Sequence, residues 1–192
     1  MKSILNLVML SILVCFHFAC NAKKPKKVYI EFGCKMTIPE PKVLGEAFTA
    51  HQSLAFESKD KNYHMQAQVE FENQQLTIVG LNTAFITMFE ISQIENQIVY
   101  KPSVKTPIQP KLLLGFFYAI FCPIENLNSL FGKHINCTET TENNIRIRKI
   151  FINKKEIYNI QYLPFKNGTK ITFTNLKRKM TFTLIEDYRT NL

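Results

Sequence analysis

The 192-residue chain has no tryptophan, four histidines, six glycines and eight prolines, and its fifteen acidic residues include only two aspartates, Asp60 and Asp187. So little glycine and proline, with no internal repeat or low-complexity tract, excludes collagen-like and linker-like chains. Catalysis needs converging acids, bases or nucleophiles, and the supply is poor. Most glutamates, including Glu70, Glu72, Glu95 and Glu156, fall on polar strand faces or in turns. Beyond residue 20 the histidines are His51, His64 and His134, none with a second His or Cys at zinc-site spacing except His134 and Cys137, which stand in a polar loop, 133–144, with no further ligand nearby. No Gly-x-Ser-x-Gly elbow, phosphate loop or dinucleotide fingerprint occurs. The expectation is a protein that is not an enzyme and holds neither metal nor cofactor. The asparagines of Asn136-Cys137-Thr138 and Asn167-Gly168-Thr169 read as turn residues.

Long apolar runs are also absent, with one exception. From Ile4 to Ala19 the chain is nearly all apolar after Lys2, then turns polar at Asn21, Lys23 and Lys24. This run falls short of the about 20 residues of a membrane-spanning helix and reads as a cleaved secretory signal over residues 1–19. His17-Phe18-Ala19-Cys20 resembles a lipobox, so Cys20 is the expected site of acylation and the lipid anchor. His17 and Phe18 depart from the usual motif. Ordinary cleavage near Ala19 or Ala22, giving a soluble periplasmic or secreted protein, is the alternative.

Residues 20–27 then form a basic tether with Lys23, Lys24, Lys26 and Lys27 around Pro25. Attraction to anionic lipid and simple solvation are both open for it. The net charge is +9, but the other basic residues are scattered without aromatic spacing, so no nucleic-acid partner is expected. Residues 28–192 suit a single domain. Cys34, Cys122 and Cys137 allow one bridge and one free thiol in an oxidising compartment, or three buried inert thiols. Spacing does not choose between them.

Apolar residues alternate with polar ones most cleanly at Tyr63, Met65, Ala67, Val69 and Phe71, which predicts a strand with one buried face. Similar runs cover 28–32, 50–58, 75–82, 84–92, 97–101, 145–153, 155–163, 169–176 and 179–187. Breaks at Glu72-Asn73-Gln74, Glu95-Asn96, Asn153-Lys154, Asn167-Gly168 and Asn175 are too short for crossover helices, so neighbours should pair antiparallel. One segment differs: Pro110 introduces Leu112 to Cys122, apolar on every side and stopped by Pro123, and Ile124 to Phe131 follows, stopped by Gly132. These predict two short helices, the first buried all round. Strands, helices and strands in that order give a mainly β (α+β) fold, with helices on one face of a single antiparallel sheet.

Sixteen phenylalanines and seven tyrosines can line a greasy cavity or fill a core. A resemblance bears on that choice. Leu44-Gly45, His51-Gln52-Ser53-Leu54-Ala55-Phe56, Leu76-Thr77-Ile78-Val79-Gly80-Leu81, the Leu112-to-Pro123 helix with Leu127 and Leu130, Arg148-Lys149-Ile150-Phe151 and Ile157-Tyr158-Asn159-Ile160-Gln161-Tyr162 carry it. From Leu44 to Tyr188 the chain resembles an uncharacterised family of bacterial lipoproteins often encoded beside aryl-polyene pigment synthesis genes. That family is similar in fold to the lipoprotein carrier LolA and the receptor LolB. The resemblance implies a curved antiparallel sheet forming an incomplete barrel, with two or three short helices as a lid over an apolar, acyl-binding cavity. Wall residues would be Tyr63, Met65, Val69, Phe71 and Ile78, and lid residues Leu113, Phe116, Phe117 and Ile120.

The function expected is that of a lipoprotein at the periplasmic face of the bacterial outer membrane, binding or passing acyl chains or lipidated cargo, with a carrier protein as a possible partner. Asn21 after Cys20 agrees with outer-membrane sorting. A structural or assembly lipoprotein with a filled core is the alternative. An enzyme acting on a lipid would need His51, His64 or Glu70 inside the cavity.

Overall fold

The structure is a computed structural model describing residues 27–31, 34–58, 61–104, 109–166, 168–177 and 179–192. The signal segment, Cys20 and the tether up to Lys26 lie outside the described residues, as does Asn167. Twelve strands and two α-helices are described. A short hairpin, β1 (Lys27–Glu31) and β2 (Cys34–Thr37), is followed by a 3-10 turn at Pro41–Leu44. Five strands come next: β3 (Phe48–Ser58), β4 (Lys61–Glu72), β5 (Gln75–Leu81), β6 (Thr87–Ile94) and β7 (Gln97–Pro102). Helices α1 (Pro110–Phe121) and α2 (Ile124–Leu130) then lead to β8 (Ile135–Glu142), β9 (Ile145–Ile152), β10 (Lys155–Phe165), β11 (Gly168–Asn175) and β12 (Met180–Asn191).

The last ten strands form one open antiparallel sheet in the order β7-β6-β5-β4-β3-β12-β11-β10-β9-β8. It consists of two hairpin meanders joined where β12 pairs with β3, with Leu184 opposite Leu54. Since β7 and β8 are the two edges, the chain between them has to cross a face of the sheet, and α1 and α2 make that crossing. Their apolar sequence follows, because the face they cover is the one on which the strands bury their alternate residues. Tight turns with paired positive φ at Asn73-Gln74, Asn143-Asn144 and Asn153-Lys154 connect neighbours, the geometry that matches strand twist.

Pro110 opens α1, where its missing N–H costs nothing. Pro123 closes it by forcing Cys122 out of helical geometry to φ −66° and ψ 134°. Residues 113–120 are all buried. The sheet takes one side of α1; β1 lies against it and Cys34, Met36 and Ile38 of the β2 region are buried, with Met36 bridged to Phe131. Each large apolar side chain so removed from water contributes roughly 1.5–3 kcal/mol.

Three expectations need correction. Residues 133–144 are not a loop but contain β8, so Asn136 is a strand residue and not a turn residue. Residues 34–37 form a strand where none was read. The strand expected at 84–92 starts only at Thr87, because residues 82–86 are a turn tied to Asn82. Gly168 is small because a Cβ there would collide with the Glu186 carbonyl of β12.

Candidate functional site

The inner face of the sheet is built by parity. On β4 the buried positions are Met65, Ala67, Val69 and Phe71, with Tyr63 half-buried; on β3 they are Phe48, Ala50, Gln52 and Leu54. Gly80 on β5 stands opposite Phe89 on β6, and a Cβ there would overlap the Phe89 ring and the Met65 methyl. The glycine therefore lets Phe89 fold flat over the sheet.

Two voids occupy this face. A small cavity of about 30 Å³ lies under α1 between Gln52, Leu54, Ala67, Ile78, Phe89, Leu113, Phe117, Ile120, Phe182 and Leu184. Outside it, a groove of about 170 Å³ runs between Leu54, Phe56, Tyr63, Met65, Met88 and Phe182, with His64, Asn82 and Thr83 at its margin. Leu54 and Phe182 line both. Of the residues expected to form walls, Ile78 lines the cavity while Tyr63 and Met65 line the groove. Val69 and Phe71 are packed in the core, Phe71 with its ring 6.0 Å from that of Phe48. Of the expected lid residues, Leu113, Phe117 and Ile120 face the cavity. Phe116 instead packs on Phe173 and Phe182, at 4.8 and 5.9 Å between rings.

The polar ties of α1 converge on its C-terminal half. Arg148, 2 % exposed, donates to the carbonyls of Ala119 (2.7 Å), Ile120 (3.1 Å) and Cys122 (2.9 Å). The helix C-terminus is where unpaired carbonyls and partial negative charge gather, so a guanidinium satisfies both. Tyr162 adds a bond to the Ile120 carbonyl at 2.6 Å, and Tyr118 donates to Gln93 at 3.0 Å. Burial pushes the Tyr162 hydroxyl up to about 12, partly opposed by Arg148 and Arg146, and pushes the Tyr118 hydroxyl up as well.

The chemistry-bearing residues do not converge on the cavity or the groove. His51 and Ser53 stand on the outer face, both beside Asp187, at 3.5 Å from His51 Nδ1 and 3.0 Å from Ser53 Oγ. Glu70 is exposed, and His64 reaches only the groove margin. His134 is exposed whereas Cys137 is buried, so that pair does not meet around an ion, and no group of three or more such ligands occurs among the described residues. Cys34, Cys122 and Cys137 are all buried, and no disulfide joins them to one another. Burial pushes the Cys122 thiol up to about 11 and the Cys137 thiol to about 12, each partly offset by Arg148. One inner-face acid, Glu186, carries no signal in the sequence. Glu186, 8 % exposed, accepts from Gln52 at 3.2 Å; burial raises its pKa, opposed by Arg189 and Gln52. Its partner is 134 residues away in the chain, and only the strand pairing brings them together.

These features define an open antiparallel sheet with helices across one face and an apolar groove between them. The chain belongs to the family described as "Protein of unknown function (DUF3261)", which matches residues 49–186. No curated protein matches it in sequence. Among solved structures it is similar to a LolA superfamily protein from Nitrosomonas europaea, at 10% identity and a TM-score of 0.43, over 81% of this chain and 94% of that one.

Proposed function

We propose that this chain is a lipid-handling binding protein, not an enzyme, in which the sheet is a cup and α1 its lid. The groove between Leu54, Tyr63, Met65 and Phe182 carries this reading. It is apolar and open, and Leu54 and Phe182 line both it and the void under α1. Sheltering an acyl chain there requires apolar area and no catalytic group. At about 30 Å³ the inner void holds no more than about one water, so a longer chain enters only as α1 swings aside. The ties from Arg148, Tyr162 and Tyr118 make the C-terminal half of the helix the pivot. Acylation of Cys20 would hold the cup at the periplasmic face of the outer membrane, where it would receive or pass a lipidated molecule, from a carrier protein or to one. The aryl-polyene association, which rests on the resemblance, makes a polyene acyl chain one cargo to test.

The narrowness of the inner void favours a second reading, a structural lipoprotein with a filled interior. Titrating the delipidated full chain with a fluorescent fatty acid separates the two. Saturable uptake that is lost in Met65→Trp, where the indole fills the groove, is the expected result. Absence of both saturable uptake and co-extracted lipid would rule out the carrier reading.

A further inference from the structure

The ten-stranded sheet has two unlike ends. At the end where the groove opens, the chain turns at 82–86, 153–154 and 176–179 and leaves β7 at Ser103. Phe85 and Ile86 are 65% and 60% exposed there, and Leu176 and Val104 are each 47% exposed. Lys133, Lys154, Lys155, Lys177 and Lys179 are exposed at the same end, and none makes an ion pair among the described residues. Against them stand exposed Glu57 and half-buried Glu156, the latter 3.8 Å from Lys149. Lys133, His134, Asn153 and Lys154 also border a depression of about 510 Å³. The opposite end carries exposed Glu46, Glu72, Glu95 and Glu142, with exposed Lys42, Lys166 and Arg189 among them, so its exposed Ile94 and Leu192 sit in mixed surroundings in which acids outnumber bases.

The 82–86 turn is built to hold its apolar residues outward. Asn82 Oδ1 accepts from the amides of Ala84 and Ile86, both at 2.9 Å, and the Asn82 carbonyl accepts from the Phe85 amide at 3.0 Å. Phe85 is thereby kept at φ +59°, a conformation bulky L residues avoid, and its ring stays in water although the groove margin at Asn82 and Thr83 is two residues away. Exposed apolar side chains flanked by unpaired lysines match a lipid surface that is apolar beneath and anionic at its face.

We propose that this end of the sheet docks on an anionic bilayer, with Phe85 and Ile86 entering the interface and the lysines meeting lipid phosphates. The groove mouth then faces the membrane. The proposal rests on the acyl-binding reading only for the purpose of docking, and fatty-acid uptake measured without vesicles tests that reading separately.

The absence of tryptophan makes the test direct, since Phe85→Trp gives the full chain a single indole. Its emission is expected to shift to the blue, and to be quenched by brominated acyl chains, on phosphatidylcholine vesicles containing phosphatidylglycerol but not on phosphatidylcholine alone. Ile94→Trp, at the acidic end, should stay unmoved, which also separates docking from attachment through the N-terminal segment. Adding Lys177→Glu and Lys179→Glu to Phe85→Trp should weaken the response on the order of tenfold. No shift at position 85, or an equal shift at position 94, overturns the proposal. So does a concentration-dependent shift without vesicles, which would assign the surface to a second copy of the chain.

Discussion

Glu139 of β8 holds Arg148 of β9 from below: Arg148 Nε donates to Glu139 Oε2 at 2.8 Å and Nη2 lies 2.7 Å from the same oxygen, while Nη1 reaches up to the three carbonyls at the end of α1. The carboxylate thus fixes the guanidinium that fixes the helix. Arg148→Leu should cost about 3–5 kcal/mol, since it strands both a part-buried carboxylate and the helix carbonyls. Arg148→Lys, which keeps the charge but not the fork, should cost less. Denaturant midpoints measure both, and amide exchange in α1 should quicken with little change in the outer strands.

Gly80 and Phe89 provide a second test, by coupling. Gly80→Ala should destabilise by about 1–3 kcal/mol because the methyl meets the Phe89 ring. Adding Phe89→Leu should recover part of the loss, as expected of neighbours that share one space. Gly168→Ala meets the Glu186 backbone carbonyl instead, so no side-chain change should rescue it.

Stability should fall in alkali. The native pKa values of Tyr162, Cys122 and Cys137 lie above their ordinary values of 10.0, 9.0 and 9.0, at about 12, 11 and 12. The native state therefore keeps protons that the unfolded chain releases. The stabilising contribution is complete below about pH 9 and is lost as pH rises toward 12. Thermal midpoints should drop across that window, less steeply in Tyr162→Phe, which also gives up about 1 kcal/mol with the bond to Ile120.

Glu186 behaves in the same sense at lower pH. Burial raises its pKa from the ordinary 4.5, so its contribution to stability is present in acid and lost as pH rises through the native value. Glu186→Gln should leave stability near pH 4 unchanged and raise it at pH 7. Equal midpoints for both proteins at pH 7 would show that Arg189 and Gln52 fully offset the burial.

Acylation at Cys20 is open to direct labelling. A clickable fatty acid should be incorporated into the native chain and not into Cys20→Ala. Unlabelled native protein would rule out acylation at Cys20.

The period-two strands were legible because their inner positions are apolar, as in Tyr63-to-Phe71, and the helix pair because prolines stand at its boundaries. β8 was not legible. Its inward positions include Cys137 and Glu139, and a glutamate on an inner face makes sense only once Arg148 is seen beside it. The run at 28–32 is β1, but its partner β2 escaped for a different reason: Cys34, Met36 and Ile38 are buried by chain far away in sequence, with Met36 bridged to Phe131. On the inner face, strand parity assigned Tyr63 and Met65 of the groove and Ile78 of the cavity their inward places. The division between core and groove was hidden, since it depends on where Phe116 and Phe89 rest their rings.

The seam between β3 and β12 also sets an order of assembly. Every other pairing in the large sheet joins neighbours in sequence, apart from this one, which brings Gln52 to Glu186 across 134 residues. The two meanders can form from short loop closures, while the seam has to close a loop of the whole domain, so it is the slow step by chain entropy. During synthesis β3 remains an open edge with an apolar inner face until β12 emerges. Until then that edge can pair with another chain, which makes the interval before the seam closes the point of greatest exposure to aggregation.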